Sequence, residues 1–202
     1  MKKLISTLAG VAAVALLFAA PAQAATVTWE NPNPATLVDT GVPHYTSAVG
    51  NVYENLTTSS DGVYRSPWEG TNLDGTGTFT SVSGDSYASY VFDSAISAVS
   101  FIWGSVDNYN GLEFYNNGTW VDALYGDDSQ LDTAQKTTGF ILATVVADGL
   151  FDEVRFLSDS NAFEFANLSA VPLPAALPLY GAGLAVMGFA GWRKRRKAAA
   201  AA

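Results

Sequence analysis

Two loops in the middle of the chain carry the side chains best suited to hold a cation. These side chains are Asp107, Asn108 and Asn110 in SVDNYNG, and Asp127, Asp128 and Asp132 in GDDSQLD. Calcium takes about six to eight oxygen ligands from carboxylates, amides and backbone carbonyls. Neither loop has the spacing of a helix–loop–helix calcium site, and ordinary turns have the same composition. Asp107, Asp127 and Asp128 are therefore calcium-ligand candidates, and a solvated turn-rich surface is the alternative.

Aromatic side chains offer a second kind of chemistry, since their faces can stack on the apolar faces of sugar rings. The candidates are Trp68, Trp103, Tyr109, Tyr115, Trp120 and Tyr125. Aromatic residues make up 12% of the chain, and in an all-β domain most rings pack inside the protein. Trp103 belongs to an alternating strand and is predicted to lie in the core. Tyr109 sits between two amides in a turn-rich loop and is predicted to contact a glycan.

Catalytic signatures are weak, and the sequence predicts a protein that is not an enzyme. Its single histidine, His44, follows Pro43 in an irregular stretch without a nucleophile-elbow motif. With 19 acidic residues, some pair of carboxylates would meet any separation that a glycosidase needs, so their presence is not evidence. A secreted glycan hydrolase remains as an alternative.

Charge excludes one class of partner. All 19 acids fall within residues 25–170, where only Arg65, Lys136 and Arg155 oppose them, so this body carries 3 − 19 = −16. Such a body repels phosphate backbones, and we expect no nucleic-acid binding. Neutral polymers and divalent cations remain as partners.

Short strands separated by turn residues must position these side chains. The strand-like runs are Thr26–Trp29, Gly77–Val82, Tyr87–Phe92, Ala98–Trp103, Leu112–Tyr115, Trp120–Tyr125, Thr138–Val146, Glu153–Leu157 and Ala162–Leu168. They alternate apolar and polar positions, as in AFEFANL, where Glu164 lies opposite Phe163 and Phe165 and is expected to face solvent. Eight or nine such strands predict an all-β, antiparallel β-sandwich, most simply a jelly roll.

Two further segments of this body carry local predictions. GLEFYNNGTWVDALYG predicts a hairpin that turns at Asn117 and Gly118, since both residue types tolerate positive φ. Residues 31–72 contain four prolines and predict long loops with one or two edge strands.

The N-terminus has the pattern of a secretory signal peptide over residues 1–24. Lys2 and Lys3 precede an uncharged stretch, and small residues stand at Ala22 and Ala24. Signal peptidase is expected to cut between Ala24 and Ala25, with a retained N-terminal anchor as the alternative. The chain has no cysteine, so it lacks the thiol that lipoprotein anchoring requires.

The C-terminus predicts a single transmembrane helix. No charged residue occurs from Val171 to Trp192, and a helix from about Ala175 to Lys194 would measure ~30 Å, close to the thickness of a bilayer core. A basic stop cluster follows, consisting of Arg193, Lys194, Arg195, Arg196 and Lys197. Cationic residues favour the cytoplasmic side, so the inner membrane would hold the chain with its body outside.

The whole tail, residues 171–197, resembles a PEP-CTERM sorting signal. The matching elements are the motif Val171, Pro172, Leu173, Pro174 and Ala175, the Gly-rich apolar segment and the basic cluster. Leu173 stands where the name-giving form has glutamate. The resemblance implies cleavage by an exosortase and delivery to the cell surface or extracellular matrix of a Gram-negative bacterium. An anchor that is never cleaved is the alternative, and the Ala198–Ala202 tail has no explanation.

The body also resembles exosortase-dependent surface proteins that carry a jelly-roll domain before the sorting tail. FIWGSVDNYNGLEFYNNG and SDSNAFEFANLSAVPLPAA carry this resemblance, although Ala166 stands where that family often has aspartate. It implies a structural or adhesive role in polysaccharide matrix or biofilm. A carbohydrate-binding module, with or without calcium, is the alternative.

Overall fold

The protein is described here by a computed structural model over residues 24–133 and 139–171, together with Met187 and Phe189. Within residues 24–133 and 139–171, the regular structure consists of seven β-strands and one short 3-10 turn, Ser129–Leu131. The strands are β1 (Thr26–Glu30), β2 (Ser47–Leu56), β3 (Phe79–Trp103), β4 (Asn110–Asn116), β5 (Thr119–Tyr125), β6 (Ile141–Ser158) and β7 (Phe163–Val171).

Two of these strands are much longer than the sequence predicts. β3 joins three of the predicted runs and β6 joins two, because their mutual ladder continues through a bend. The ladder pairs Val91 with Glu153 and resumes at Ile96 opposite Phe151, after a register shift. A bulge of this kind lets a strand turn a corner without ending. The prediction of eight or nine separate strands was therefore wrong in number, while the positions of the strand residues were largely right.

The bend divides the strands into two layers. A five-stranded layer runs in the order β2, first half of β3, second half of β6, β4, β5. A four-stranded layer consists of β1, the first half of β6, the second half of β3 and β7, and the first residues of β7 also pair with Thr80–Val82 in the first half of β3. The ladders of β1, β2, β4 and β5 with their neighbours are antiparallel, as is the ladder between β3 and β6.

Aromatic rings fill the space between the two layers. Phe156 of the five-stranded layer stacks on Phe165 of the four-stranded layer, with 4.0 Å between ring centroids. Phe101 meets Phe156 edge to face at 5.1 Å, and Tyr90 meets Phe165 in the same way at 5.9 Å. These contacts join residues that are not ladder partners, so the layers face each other as a β-sandwich. The predicted fold class, an all-β sandwich of mainly antiparallel strands, is confirmed.

A second apolar cluster lies on the outside of the four-stranded layer. Ile102 and Ala166 point away from the central core and are covered by Trp68, which is fully buried. Trp68 donates its indole N–H to the carbonyl of Thr78 at 3.0 Å. Its place among the candidates for an accessible glycan-binding ring was therefore wrong. The outward apolar residues of this layer need cover, and the loop that carries Trp68 supplies it.

The predictions of a hairpin turn and of an edge strand, which rest on short stretches of sequence, were confirmed. The β4–β5 hairpin is present, with Asn117 at φ 48° and Gly118 at φ 74° in its turn. Within residues 31–72, the edge strand β2 is present and pairs with β3 alone. Of the remaining loops, Val42 and Tyr45 pack against the central core, and Leu37 packs in the cluster around Trp68.

The predicted signal peptide and the predicted sorting tail lie mostly outside the described residues. The residues that are not described include Ala22, Pro172–Ala175, the basic cluster 193–197 and most of the predicted membrane helix. Within the residues that are described, no helix is long and apolar enough to cross a bilayer. Ala24 is exposed, whereas Ala25 is fully buried beside β1. Val171 is the last residue of β7 and pairs with Ala98.

Candidate functional site

The outer face of the five-stranded layer carries a row of side chains that crosses four strands. Tyr87 of β3 lies opposite Leu157 of β6, Leu157 lies opposite Gly111 of β4, and Gly111 lies opposite Tyr125 of β5. Residues in register on adjacent strands project to the same face and lie close together. Two tyrosines thus flank a leucine and a glycine on one surface.

Gly111 determines how the Tyr125 ring lies. A Cβ atom added at Gly111 would meet Leu157 Cδ1 at 2.3 Å and Tyr125 Cδ1 at 2.7 Å. The Tyr125 ring therefore lies against the backbone of β4, in space that any other residue would fill. Tyr125 is nevertheless 44% exposed, so its outward surface is open to a ligand.

Together with neighbouring loops, this row forms a cleft of about 390 Å³ that we name the tyrosine groove. Its lining residues are Asp85, Ser86, Tyr87, Asn108, Tyr109, Glu113, Tyr125, Leu157 and Asp159. Three tyrosine rings, three carboxylates and one amide thus line one open cleft. A volume of this size falls within the range of about 300–1,000 Å³ that is usual for small-molecule sites.

Hydrogen bonds through Glu113 hold two tyrosines of this face in place. The Tyr115 hydroxyl donates to Glu113 Oε2 at 2.6 Å, and the Tyr125 hydroxyl donates to Glu113 Oε1 at 3.3 Å. The hydrogen bond to Glu113 raises the pKa of Tyr115 to about 12. Burial, followed by the charge of Glu113, also raises the pKa of Tyr125. Both phenols therefore stay protonated and remain donors at neutral pH.

Arg155, near the end of β6, packs on the same face. Its guanidinium carbon lies 4.0 Å from the Tyr115 ring centroid and 5.1 Å from that of Tyr87. Its Nε donates to Glu153 Oε1 at 2.7 Å. A cation at this distance from aromatic faces is attracted by their quadrupoles. The rings are consequently held in defined positions before any ligand arrives.

Tyr109, the predicted glycan contact, lies in the wall of the tyrosine groove. Its hydroxyl donates to the carbonyl of Asn161 at 2.9 Å. Burial raises the pKa of Tyr109, and the nearby carboxylate of Asp107 adds to the rise. The structure therefore brings Tyr109 together with Tyr125, another of the sequence candidates.

The other aromatic candidates differ in their exposure to solvent. Trp103 is fully buried, which confirms its predicted place in the core. Trp120 is 58% exposed and pairs with Tyr115 at the far end of the β4–β5 hairpin. Tyr87 was missed by the sequence interpretation; its position opposite Leu157 follows from strand register, which the sequence did not provide.

The calcium candidates do not come together as a cluster of carboxylates. Asp128 Oδ1 accepts the N–H of Gln130 at 2.9 Å and caps the 3-10 turn, while Asp127 is exposed. Among the described residues, no group of three or more acidic or histidine side chains is placed to hold a metal ion. Asp107, Asp127 and Asp128 therefore do not fit a site built on three carboxylates, and calcium binding stays a prediction.

A second cleft, of about 440 Å³, lies beside the loop that precedes Trp68; we name it the polar cleft. It is lined by Ser59, Ser60, Asp61, Gly62, Val63, Tyr64, Arg65, Glu69, Ser105, Asn161, Ala162 and Glu164. The expectation that Glu164 faces solvent was wrong, since this residue is only 1% exposed. It points away from the core, as predicted, but the loop covers that side of β7.

Glu164 ties this loop to the sandwich. Its Oε1 accepts the backbone N–H of Arg65 at 2.8 Å, and its Oε2 accepts the hydroxyl of Ser105 at 3.2 Å. Burial raises the pKa of Glu164 to about 7, against an ordinary value of 4.5. His44 lies elsewhere, with Nδ1 2.7 Å from Glu54 Oε2 and its side chain 75% exposed.

Comparison with known proteins gives few matches. No family model matches the sequence, and no curated protein matches it. The chain is similar to the Agl-KA catalytic domain at a TM-score of 0.36 and 13% identity, covering 71% of this chain and 29% of that one. It is similar to a β-1,3-glucan binding CBM6 from Bacillus halodurans at a TM-score of 0.35 and 14% identity, covering 69% and 96%.

A third similar structure comprises the CBM51-2 and INT domains of Clostridium perfringens ZmpB. Its TM-score is 0.30 at 16% identity, with 62% of this chain and 30% of that chain covered. The chain thus spans less than a third of the length of two of these three structures.

Proposed function

We propose that this domain binds a polysaccharide in the tyrosine groove. The observation that carries the proposal is the Tyr125 ring, which packs against Gly111, is exposed to solvent and lies in register with Tyr87 across the sheet. Pyranose rings have apolar C–H faces that can stack on the face of an aromatic ring. Carboxylates and amides beside the rings can bind the equatorial hydroxyls.

Rigidity of the groove favours binding. Glu113 holds two phenol groups, and Arg155 lies over the rings of Tyr115 and Tyr87. Side chains that are already ordered lose little conformational entropy when a ligand arrives. Weak stacking contacts therefore contribute more of their interaction energy to affinity.

The proposal is for binding without turnover. Both oxygens of Glu113 accept tyrosine hydroxyls, and both oxygens of Glu164 accept donors from the protein. These two carboxyl groups are thus committed to holding the surfaces of the two clefts. A structural or adhesive role in an extracellular polysaccharide matrix or biofilm follows from such binding.

The groove is tested by co-sedimentation with insoluble cellulose, curdlan, chitin and the extracellular polysaccharide of the source cells. Tyr125→Ala and Tyr87→Ala should each weaken retention on the polymer that the wild type binds by at least about tenfold, which corresponds to roughly 1.4 kcal/mol. Tyr53→Ala is the matched control, because Tyr53 is exposed on the edge strand β2 and lines neither cleft. Equal retention of all four proteins would contradict the proposal.

Location at the cell surface is proposed from the ends of the chain. A signal peptide before Ala25 and a sorting tail from Val171 onward would export the domain, hold it at the inner membrane and release it after exosortase cleavage. Within the described residues, Val171 is the last residue of β7 and pairs with Ala98, so the proposed sorting motif begins where the last strand of the domain ends.

Mass spectrometry of the exported protein tests this route. In cells that contain an exosortase, peptides beyond Ala175 should be missing from the exported form and present when the exosortase is deleted. An exported form that keeps these peptides in both strains would exclude the processing step, while leaving the binding proposal intact.

A further inference from the structure

The tyrosine groove and the polar cleft share a wall. Tyr109 lines the groove, and its hydroxyl donates to the carbonyl of Asn161, which lines the cleft. Asn161 Nδ2 donates in turn to the carbonyl of Gly62 at 2.9 Å, on the opposite side of the cleft. The backbone N–H of Asp159 donates to the carbonyl of Tyr109 at 3.1 Å. Residues 159–161 thus separate two neighbouring openings.

The two openings present different chemistry. Three tyrosine rings line the groove beside three carboxylates, whereas the cleft is lined mainly by hydroxyl and charged groups, with the single ring of Tyr64. Asp61 is exposed at the cleft, and Arg65, whose side chain is 60% exposed, uses its Nε for Glu69 at 2.8 Å. The remaining guanidinium N–H groups and the Asp61 carboxylate suit sugar hydroxyls, which both donate and accept hydrogen bonds.

The floor of the polar cleft is fixed independently of these two side chains. Glu164 holds the backbone N–H of Arg65, a bond that survives removal of the arginine side chain. Ser105 completes the contact from the loop between β3 and β4. Substitution of Asp61 or Arg65 therefore removes ligand contacts without removing the bond that shapes the cleft.

We propose that the groove and the cleft are consecutive subsites for a single polysaccharide chain, which crosses the wall at Tyr109 and Asn161. This inference rests on the proposed function and specifies its ligand as a chain of several sugar units rather than a monosaccharide or a chain end. Sugars in the groove stack on tyrosines, and sugars in the cleft form hydrogen bonds. A second contact on the same chain is intramolecular, so affinity increases with chain length.

Calorimetry with a ladder of oligosaccharides tests the inference. The probes are cello-, laminari- and chito-oligosaccharides from disaccharide to octasaccharide, titrated into the purified full chain. For the series that binds, wild-type affinity should rise at least about tenfold from the shortest bound oligosaccharide to the longest and then level off. The double variant Asp61→Ala/Arg65→Ala should keep the affinity for the shortest ligand and lose this gain.

Asp93→Ala is the matched control, because Asp93 is exposed and lines neither cleft. Thermal unfolding of each variant confirms that it is folded. An affinity that does not change with length, or a double variant that loses the same factor at every length, would overturn the extended path and leave groove binding standing. No binding of any oligosaccharide or insoluble polymer would overturn both proposals.

Discussion

At the residue scale, one glycine makes the proposed binding surface. The Tyr125 ring can pack against the backbone of β4 because Gly111 has no side chain, and Leu157 packs into the same space. Sequence alone identified Tyr125 as one of several rings in a strand-rich region. It did not identify Gly111, since a glycine inside a strand has meaning only when its cross-strand neighbours are known.

Gly111→Ala is expected to weaken polysaccharide binding by about tenfold. The added methyl group would meet Leu157 Cδ1 at 2.3 Å and Tyr125 Cδ1 at 2.7 Å, so the ring must leave its position. Gly149→Ala is the control, because its methyl group would crowd only Val121 Cγ1, at 2.9 Å and outside the groove. Co-sedimentation of the two variants compares them, and equal losses would show that the ring position is unimportant.

Glu164 gives the molecule a predictable response to pH. Its folded-state pKa is about 7 and its ordinary value is 4.5, so folding favours the protonated form. Stability is therefore highest below about pH 4.5 as far as this group is concerned, and it falls as the pH rises to about 7. The change is on the order of 3 kcal/mol.

Glu164→Gln should remove that decline, as measured by urea unfolding between pH 4.5 and 8. Glu69→Gln serves as the control: hydrogen bonds from Ser59 and Arg65 lower the pKa of Glu69, so its contribution is lost only as the pH falls below about 4.5. A wild type and a Glu164→Gln variant with parallel profiles above pH 4.5 would refute the assignment.

At the scale of elements, features set by a few neighbouring residues were predicted better than contacts between parts of the chain that are distant in sequence. Asn117 and Gly118 identify the β4–β5 turn because positive φ is a property of single residues. The continuous ladder of β3 with β6 could not be predicted in this way, since a bulge near Ile96 replaces the break that the sequence suggested. The loop that covers the four-stranded layer was not predicted either, because its Trp68 packs with Ile102 and Ala166, which are distant in sequence.

Trp68→Ala should be among the most destabilising substitutions in the domain. Its ring is fully buried and fills the cluster that holds the loop on the four-stranded layer. Removing such a side chain costs about 3–5 kcal/mol. Trp120→Ala, at an exposed position, should change stability by no more than about 0.5 kcal/mol. Denaturant midpoints of the two variants measure the difference, and similar midpoints would show that the loop is not anchored by this ring.

At the scale of the whole molecule, a sandwich without cysteine presents two neighbouring clefts on a strongly acidic body. The fold class and the acidic balance could be predicted from composition and alternation. The site could be predicted only in part: Tyr109, Tyr115 and Tyr125 were among the candidates. Strand register and loop packing, which the sequence does not show, add Tyr87, Gly111 and Glu164 to them.

Nuclear magnetic resonance titration of the protein with its bound oligosaccharide is the most direct test of polysaccharide binding in the tyrosine groove. Signals of Tyr87, Tyr109 and Tyr125 should shift and saturate together with the calorimetric isotherm, while those of the buried Trp103 and of Tyr53 on β2 should stay in place. Saturable binding whose shifts fall on another surface, with the groove tyrosines unchanged, would contradict the proposed site.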